Sequence, residues 1–210
     1  MEIWYTLTGP VDHKPIQDAI MSINDELYSK PVQTMRILIA SGGGDIDAGV
    51  NMYAYLKALP IEVETIAFGK LDVAAVPILL GGRKRLAVQG CQFLFHEGRY
   101  TITDVTAPLH AHEEAVSVFK SNLHSTIYII ARETQNDTEV VAHMLRRSKI
   151  MSPQEAVDFG LCHEIVDELP LQQQQEKGFG FMQERSSPGS RSRHPRQAQP
   201  LRAESEDGRE

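Results

Sequence analysis

Three features of this chain carry groups that can do chemistry. Gly42, Gly43 and Gly44 lie in LIASGGGDID, between an apolar run and an amphipathic one. Glycine lets backbone N–H groups come close to a ligand, so such a strand-to-helix loop can hold a phosphate, an oxyanion or an extended peptide. The loop lacks the Gly-Lys-Ser/Thr ending of a P-loop and the spacing of a dinucleotide fingerprint, and a plain tight turn uses the same residues. The second feature is AFGKLDVAAVPILL, from Ala67 to Leu80, which reads as a strand, a corner and a helix of small apolar residues. Hydrolases often place a nucleophile at such a corner, because a helix start offers unpaired N–H groups and a favourable dipole. The residue at this corner is Val73, which has nothing to attack with. The third feature is QFLFH, a short strand that ends on His96.

No other side chain supplies the missing nucleophile. Asp72 adjoins the corner and carboxylates do act as nucleophiles, but at a helix start it reads as an N-cap. Cys91 precedes His96 by five residues on one extended segment. At about 3.3 Å per residue their backbones stand ~16 Å apart and do not pair. Ser41 reads as a turn former.

The elements that must position these groups alternate β and α. IWYTLTG, MRILIA, IEVETIAF, KRLAV and QFLFH read as strands, MRILIA as one buried on both faces. PIQDAIMSINDEL and DIDAGVNMYAYLKAL read as helices, the first with Pro15 in its first turn and the second with Asp45 as N-cap. Pro77 falls inside the helix after the corner and is expected to kink or shorten it. Val116, Phe119, Leu123, Ile127 and Ile130 recur at helical spacing in a long helix from Ala107 to Arg132. Asn136 is the expected N-cap of the next helix. In SPQEAVDFG, Ser152 and Glu155 form a capping box and Gly160 closes the helix. The pattern is that of an α/β layer fold. Residues 1–169 form the folded domain, and 170–210, rich in Gln, Ser, Arg and Pro, form a disordered low-complexity tail.

Composition bounds the function. The chain has 210 residues, 41% hydrophobic and 23% charged, with a formal charge of -7 that gives no support to nucleic-acid binding. Two cysteines, Cys91 and Cys162, make no disulfide framework and suit a reducing compartment. Eight scattered histidines without CxxC or HExxH spacing point to no metal. MEIWYTLTG is no signal peptide, and no apolar run approaches the roughly 18–20 residues of a membrane span, so a cytoplasmic protein with no membrane partner is expected.

LTGPVD, SGGGDIDAG, GKLDVAA, QFLFH and MSPQEAVDFGLCHEIVD occur in this order. Together, from about Trp4 to Asp167, they resemble the ClpP family, the proteolytic subunits of the Clp protease. The resemblance implies a ClpP/crotonase-like fold, a repeated βα superhelical spiral with a long handle helix. It places the oxyanion hole on Gly44 and Ala74 and the peptide-docking edge on Gly44, Asp45 and Ile46, and needs no cofactor. It places the nucleophile on Val73, the base on His96 and the orienting acid on Ser148. His96 is then a remnant base. Valine cannot become a nucleophile, and serine cannot stabilise an imidazolium as a carboxylate does. Another oxygen or sulfur within bonding reach of the imidazole, beside the glycine amides, would make the chain a working hydrolase and overturn the silent reading.

The implied role is a catalytically silent subunit that forms rings, heptameric by analogy, with itself or an active ClpP paralogue, binds peptides, and works with an AAA+ ATPase. Two alternatives stand beside it. One is an active serine-type endopeptidase with an unrecognised nucleophile. The other is an acyl-CoA-binding crotonase-like enzyme using Asp72 or Glu97 as base.

Overall fold

The computed structural model describes residues 1–98 and 106–170; the expected low-complexity tail falls, from residue 171, outside them. Strands β1 (Glu2–Thr8), β2 (Thr34–Ser41), β3 (Glu62–Asp72), β4 (Lys84–Val88) and β7 (Glu164–Val166) form a parallel sheet in the order β1-β2-β3-β4-β7. Helices α1 (His13–Ser29), α2 (Ile46–Ala58) and α3 (Val76–Leu80) follow the first three strands. The short β5 (Gln92–Leu94) pairs parallel with the end of β3 and antiparallel with β6 (Ile150–Met151). The long α4 (Leu109–Thr134) precedes α5 (Thr138–Arg146), and α6 (Pro153–Phe159) precedes β7.

β2 alternates rather than burying both faces. Met35, Ile37 and Ile39 enter the core, while Arg36 on the other face bonds Glu2 and Glu64 and stacks 5.2 Å from the Trp4 ring centre. One face packs as core and the other closes over an ion-paired arginine, so the apolar run overstated the burial. The core continues into α2, α3 and the end of α4, whose fully buried residues all lie from Thr126 onward.

The capping box on α6 forms in both directions, and Gly160 closes the helix in the left-handed region. Three local expectations change. The cap of α5 is Asp137, whose side chain accepts from the Glu139 N–H at 2.7 Å; Asn136 instead donates to the Phe159 carbonyl at 2.8 Å. α3 starts only at Val76, so Asp72 is the last residue of β3 and caps nothing. Pro77 therefore sits in the first turn of α3, where its missing N–H costs no helical bond, and it causes no kink.

α2 and α4 are joined by a half-buried polar cluster. Glu133 accepts from Tyr53 at 2.6 Å and from Lys57 at 2.8 Å, and Arg132 contacts both Tyr53 and Glu133. Among the described residues, no helix is long and apolar enough to cross a membrane, and no group of acidic, His or Cys side chains is arranged to hold a metal.

Candidate functional site

The geometry of the site is set by a change of partner along β3. Up to Ala67 the strand pairs with β4; from Lys70 it pairs with β5. Between these stretches a bulge lets two steps along β2 (Ile39 to Ser41) match four steps along β3 (Ala67 to Leu71). Bulges bend a strand and re-aim its side chains. In the new register Leu71 lies opposite Phe93, and Asp72 opposite Leu94.

Period-two alternation then sorts the corner. Leu71, Val73, Phe93 and Phe95 share one face, and all four are buried at 0–2% exposure. Asp72, Leu94 and His96 share the other. The His96 Nε2 lies 2.7 Å from Asp72 Oδ1, with the Asp72 side chain 7% exposed and that of His96 31%. Val73 stays in the core and contributes its N–H, which donates to Asp72 Oδ1 at 2.6 Å. An oxygen therefore does face the imidazole, and it belongs to Asp72, the residue read from sequence as a cap. The signal for it was a lone acid inside the apolar stretch LDVAAVP, a charge that needs partners if the stretch is buried.

The other ring nitrogen fixes the tautomer. Nδ1 accepts the Gly98 N–H at 2.9 Å, so the ring is neutral and its proton is on Nε2, facing the carboxylate. Ser148 lines the same cleft but is exposed, in the left-handed region at φ 51°, and Nδ1 is engaged by Gly98 instead. The Phe95 N–H donates to the Lys149 carbonyl at 2.9 Å, which holds that loop against β5.

The glycine loop forms the facing wall. The Gly43 N–H bonds the Ser41 hydroxyl, and a Cβ on Gly43 would meet the Asp72 carboxylate at 3.1 Å. Val11 clamps the loop by donating to the Gly43 carbonyl at 2.9 Å and accepting from the Asp45 N–H at 2.6 Å. A Cβ on Gly44 would lie 2.3 Å from the Val11 carbonyl oxygen, so only glycine fits there. Gly44 and Ala74 both line the cleft, and their N–H groups have no acceptor among the described residues. Of the expected peptide-docking edge, Asp45 has its N–H taken by Val11, and Ile46 is buried as the first residue of α2. At the corner's back, a Cβ on Gly49 would lie 2.0 Å from the Ala74 carbonyl oxygen, so this glycine lets α2 seat against the turn.

The cleft encloses about 1140 Å³ between these groups and the α4 residues Val118 and Phe119. Asp45, Asp47, Asp72 and Glu97 line it against Lys70 and Arg146, and Asp47 is paired with His13 at 3.0 Å. With His96 neutral, the lining is acidic.

The Clp protease family model matches residues 6–169. The proteolytic subunit 2 of the ATP-dependent Clp protease of Treponema pallidum is 26% identical over 141 residues, 66% of this chain and 68% of that one. Its counterpart in Treponema denticola is 29% identical over 158 residues, 69% and 78% of the two chains. The chloroplastic proteolytic subunit 4 of Arabidopsis thaliana is 30% identical over 156 residues, and the match spans 72% of this chain but about half (52%) of that relative. Among solved structures, a ClpP1 mutant from Listeria monocytogenes shares the fold at a TM-score of 0.68 and 19% identity, covering 79% of this chain and 91% of that one.

Proposed function

This chain belongs to the Clp protease family, and from that premise we propose that it is a catalytically silent, peptide-binding subunit of a Clp-type ring. The observation that carries the proposal is the chain of contacts Gly98 N–H to His96 Nδ1 and His96 Nε2 to Asp72. Serine-type acyl transfer needs a hydroxyl that surrenders its proton to a basic Nε2. Here Nε2 already carries a proton and faces an anion. The condition set from sequence for a working hydrolase, an oxygen in reach of the ring, is met by Asp72, and the silent reading now stands on the chemistry of that oxygen. Attack by the Asp72 carboxylate on an amide would build a mixed anhydride, and carboxylate leaves from the tetrahedral adduct far more readily than amine. The adduct reverts to substrate.

Two features support a retained binding role. Gly44 and Ala74 line a roomy cleft, and their N–H groups have no acceptor among the described residues, as binding of a peptide carbonyl would need. The first half of α4 buries no residue fully and leaves Leu109 and Val118 more than half exposed, an apolar surface suited to a neighbouring subunit. The family works as oligomeric rings with Clp ATPases; which ring this subunit enters, its own or that of an active paralogue, is read from mass in solution, alone and after co-expression. Fluorogenic peptides tested with the purified protein are expected to show no turnover. Cleavage that His96→Ala abolishes would end the silent-subunit reading.

The acyl-CoA alternative gains one observation, a carboxylate beside two free amides. The acidic lining opposes the phosphates of CoA, and the absence of thermal stabilisation by an acyl-CoA is the expected result.

A further inference from the structure

The carboxylate at the corner is only half satisfied. Asp72 Oδ1 has the Val73 N–H at 2.6 Å and His96 Nε2 at 2.7 Å, while Oδ2 has no donor among the described residues. The Asp72 side chain lines the cleft and is 7% exposed. Gly43 leaves Oδ2 open, since a Cβ there would lie 3.3 Å from it. The residue is 5% exposed, and among the described residues no Lys or Arg lies within 4.0 Å of it and the imidazole beside it is neutral. Lys70 and Arg146 line the same cleft without pairing to it. A buried carboxylate without a countercharge is costly, and a ligand that supplies one recovers that cost.

We propose that Asp72 Oδ2 is the anchor for a cationic nitrogen of a bound extended peptide, a Lys or Arg side chain or a free α-ammonium. This rests on the peptide-binding reading above and names what the cleft selects. The charge-assisted bond forms where a serine peptidase would do its chemistry, and an adjacent peptide carbonyl takes the Gly44 and Ala74 N–H groups. Asp45 and Glu97 at the rim steer the same sign of ligand inward. The former nucleophile corner is thereby a specificity pocket.

Fluorescence anisotropy on the full chain with three labelled nonapeptides tests this. The first is blocked at both ends with one central lysine; the second has norleucine in its place; the third is the norleucine peptide with a free N-terminus. The lysine peptide or the free-amine peptide is expected to bind at least about tenfold more tightly than the blocked norleucine peptide, and which of them does so tells side chain from α-ammonium. Asp72→Asn, close to isosteric, is expected to erase the preference, and Asp158→Asn, at an exposed acid on α6 outside the cleft, to keep it. Equal affinity of the parent for all three peptides overturns the proposal while leaving peptide binding intact, and needs no variant to fold. A preference that survives Asp72→Asn in a protein with unchanged urea midpoint also overturns it. Failure of all three peptides to bind sinks the peptide-binding reading and this proposal together.

Discussion

A serine placed at residue 73 on the strength of the sequence resemblance lies on the face away from the imidazole. The resemblance read from sequence puts the nucleophile position on Val73, but its side chain is 2% exposed among Leu71, Phe93 and Phe95. In Val73→Ser two methyl groups leave apolar surroundings, at about 0.8 kcal/mol each. The residual cavity and a hydroxyl with no partner on that face add about 1–2 kcal/mol. The expected loss is about 3 kcal/mol, read as a lower urea midpoint with unchanged slope. The new hydroxyl points away from His96, so a fluorophosphonate probe is expected not to label it. Asp72→Ser is the informative companion, because its hydroxyl lies on the imidazole's side. That oxygen is one bond shorter than the carboxylate and meets a ring whose Nδ1 is held by Gly98, so labelling there is also expected to be negligible. A stable Val73→Ser protein that labels rapidly would refute the alternation argument and return the nucleophile position to residue 73.

Gly49→Ala would set a methyl 2.0 Å from the Ala74 carbonyl oxygen, which is backbone and cannot swing aside; a loss of about 1–3 kcal/mol by urea melt is expected, with Gly82→Ala as a comparison whose nearest neighbour is the Thr65 side-chain oxygen. Burial by itself would raise the pKa of Glu133, but hydrogen bonds from Lys57, Tyr53 and Arg132 outweigh it and hold the carboxyl below the usual range. Its contribution is thus complete above the unfolded carboxylate pKa of about 4.3 and disappears as pH falls through the lower folded value; the stability gap between parent and Glu133→Gln, followed by thermal melts from pH 7 to 3, is expected to close in that direction, and a gap independent of pH would contradict it. Burial pushes the Cys91 thiol up to about 11 and the Cys162 thiol up to about 12; both are expected to resist Ellman's reagent in the native state and to react fully in denaturant.

What was legible in the sequence was whatever depends on near neighbours. The Ser152–Glu155 box and the Gly160 stop need residues three to eight apart, and both form. The βα alternation follows from local periodicity, and five ordered motifs were enough to reach the family. The cap at Asp137 was missed by one position because Asn136 is drawn to a partner 23 residues away, the Phe159 carbonyl. Asp72 was missed for a similar reason. Its facing depends on a bulge opposite β2 and a register with β5, and neither is written in the residues around the corner. Once the bulge carries β3 on to Asp72, the N-cap role passes away from it, the side chain turns to His96, and Val73 becomes core.

The same detour of β3 decides how firmly the histidine is held. The pairing of β3 with β4 stops at Ala67, and the imidazole's segment hangs from a three-residue pairing on one side and a two-residue pairing on the other. A fluctuation that frees this narrow ribbon leaves the five main strands shut, so the acidic corner can be uncovered and re-covered while the rest of the molecule stays folded.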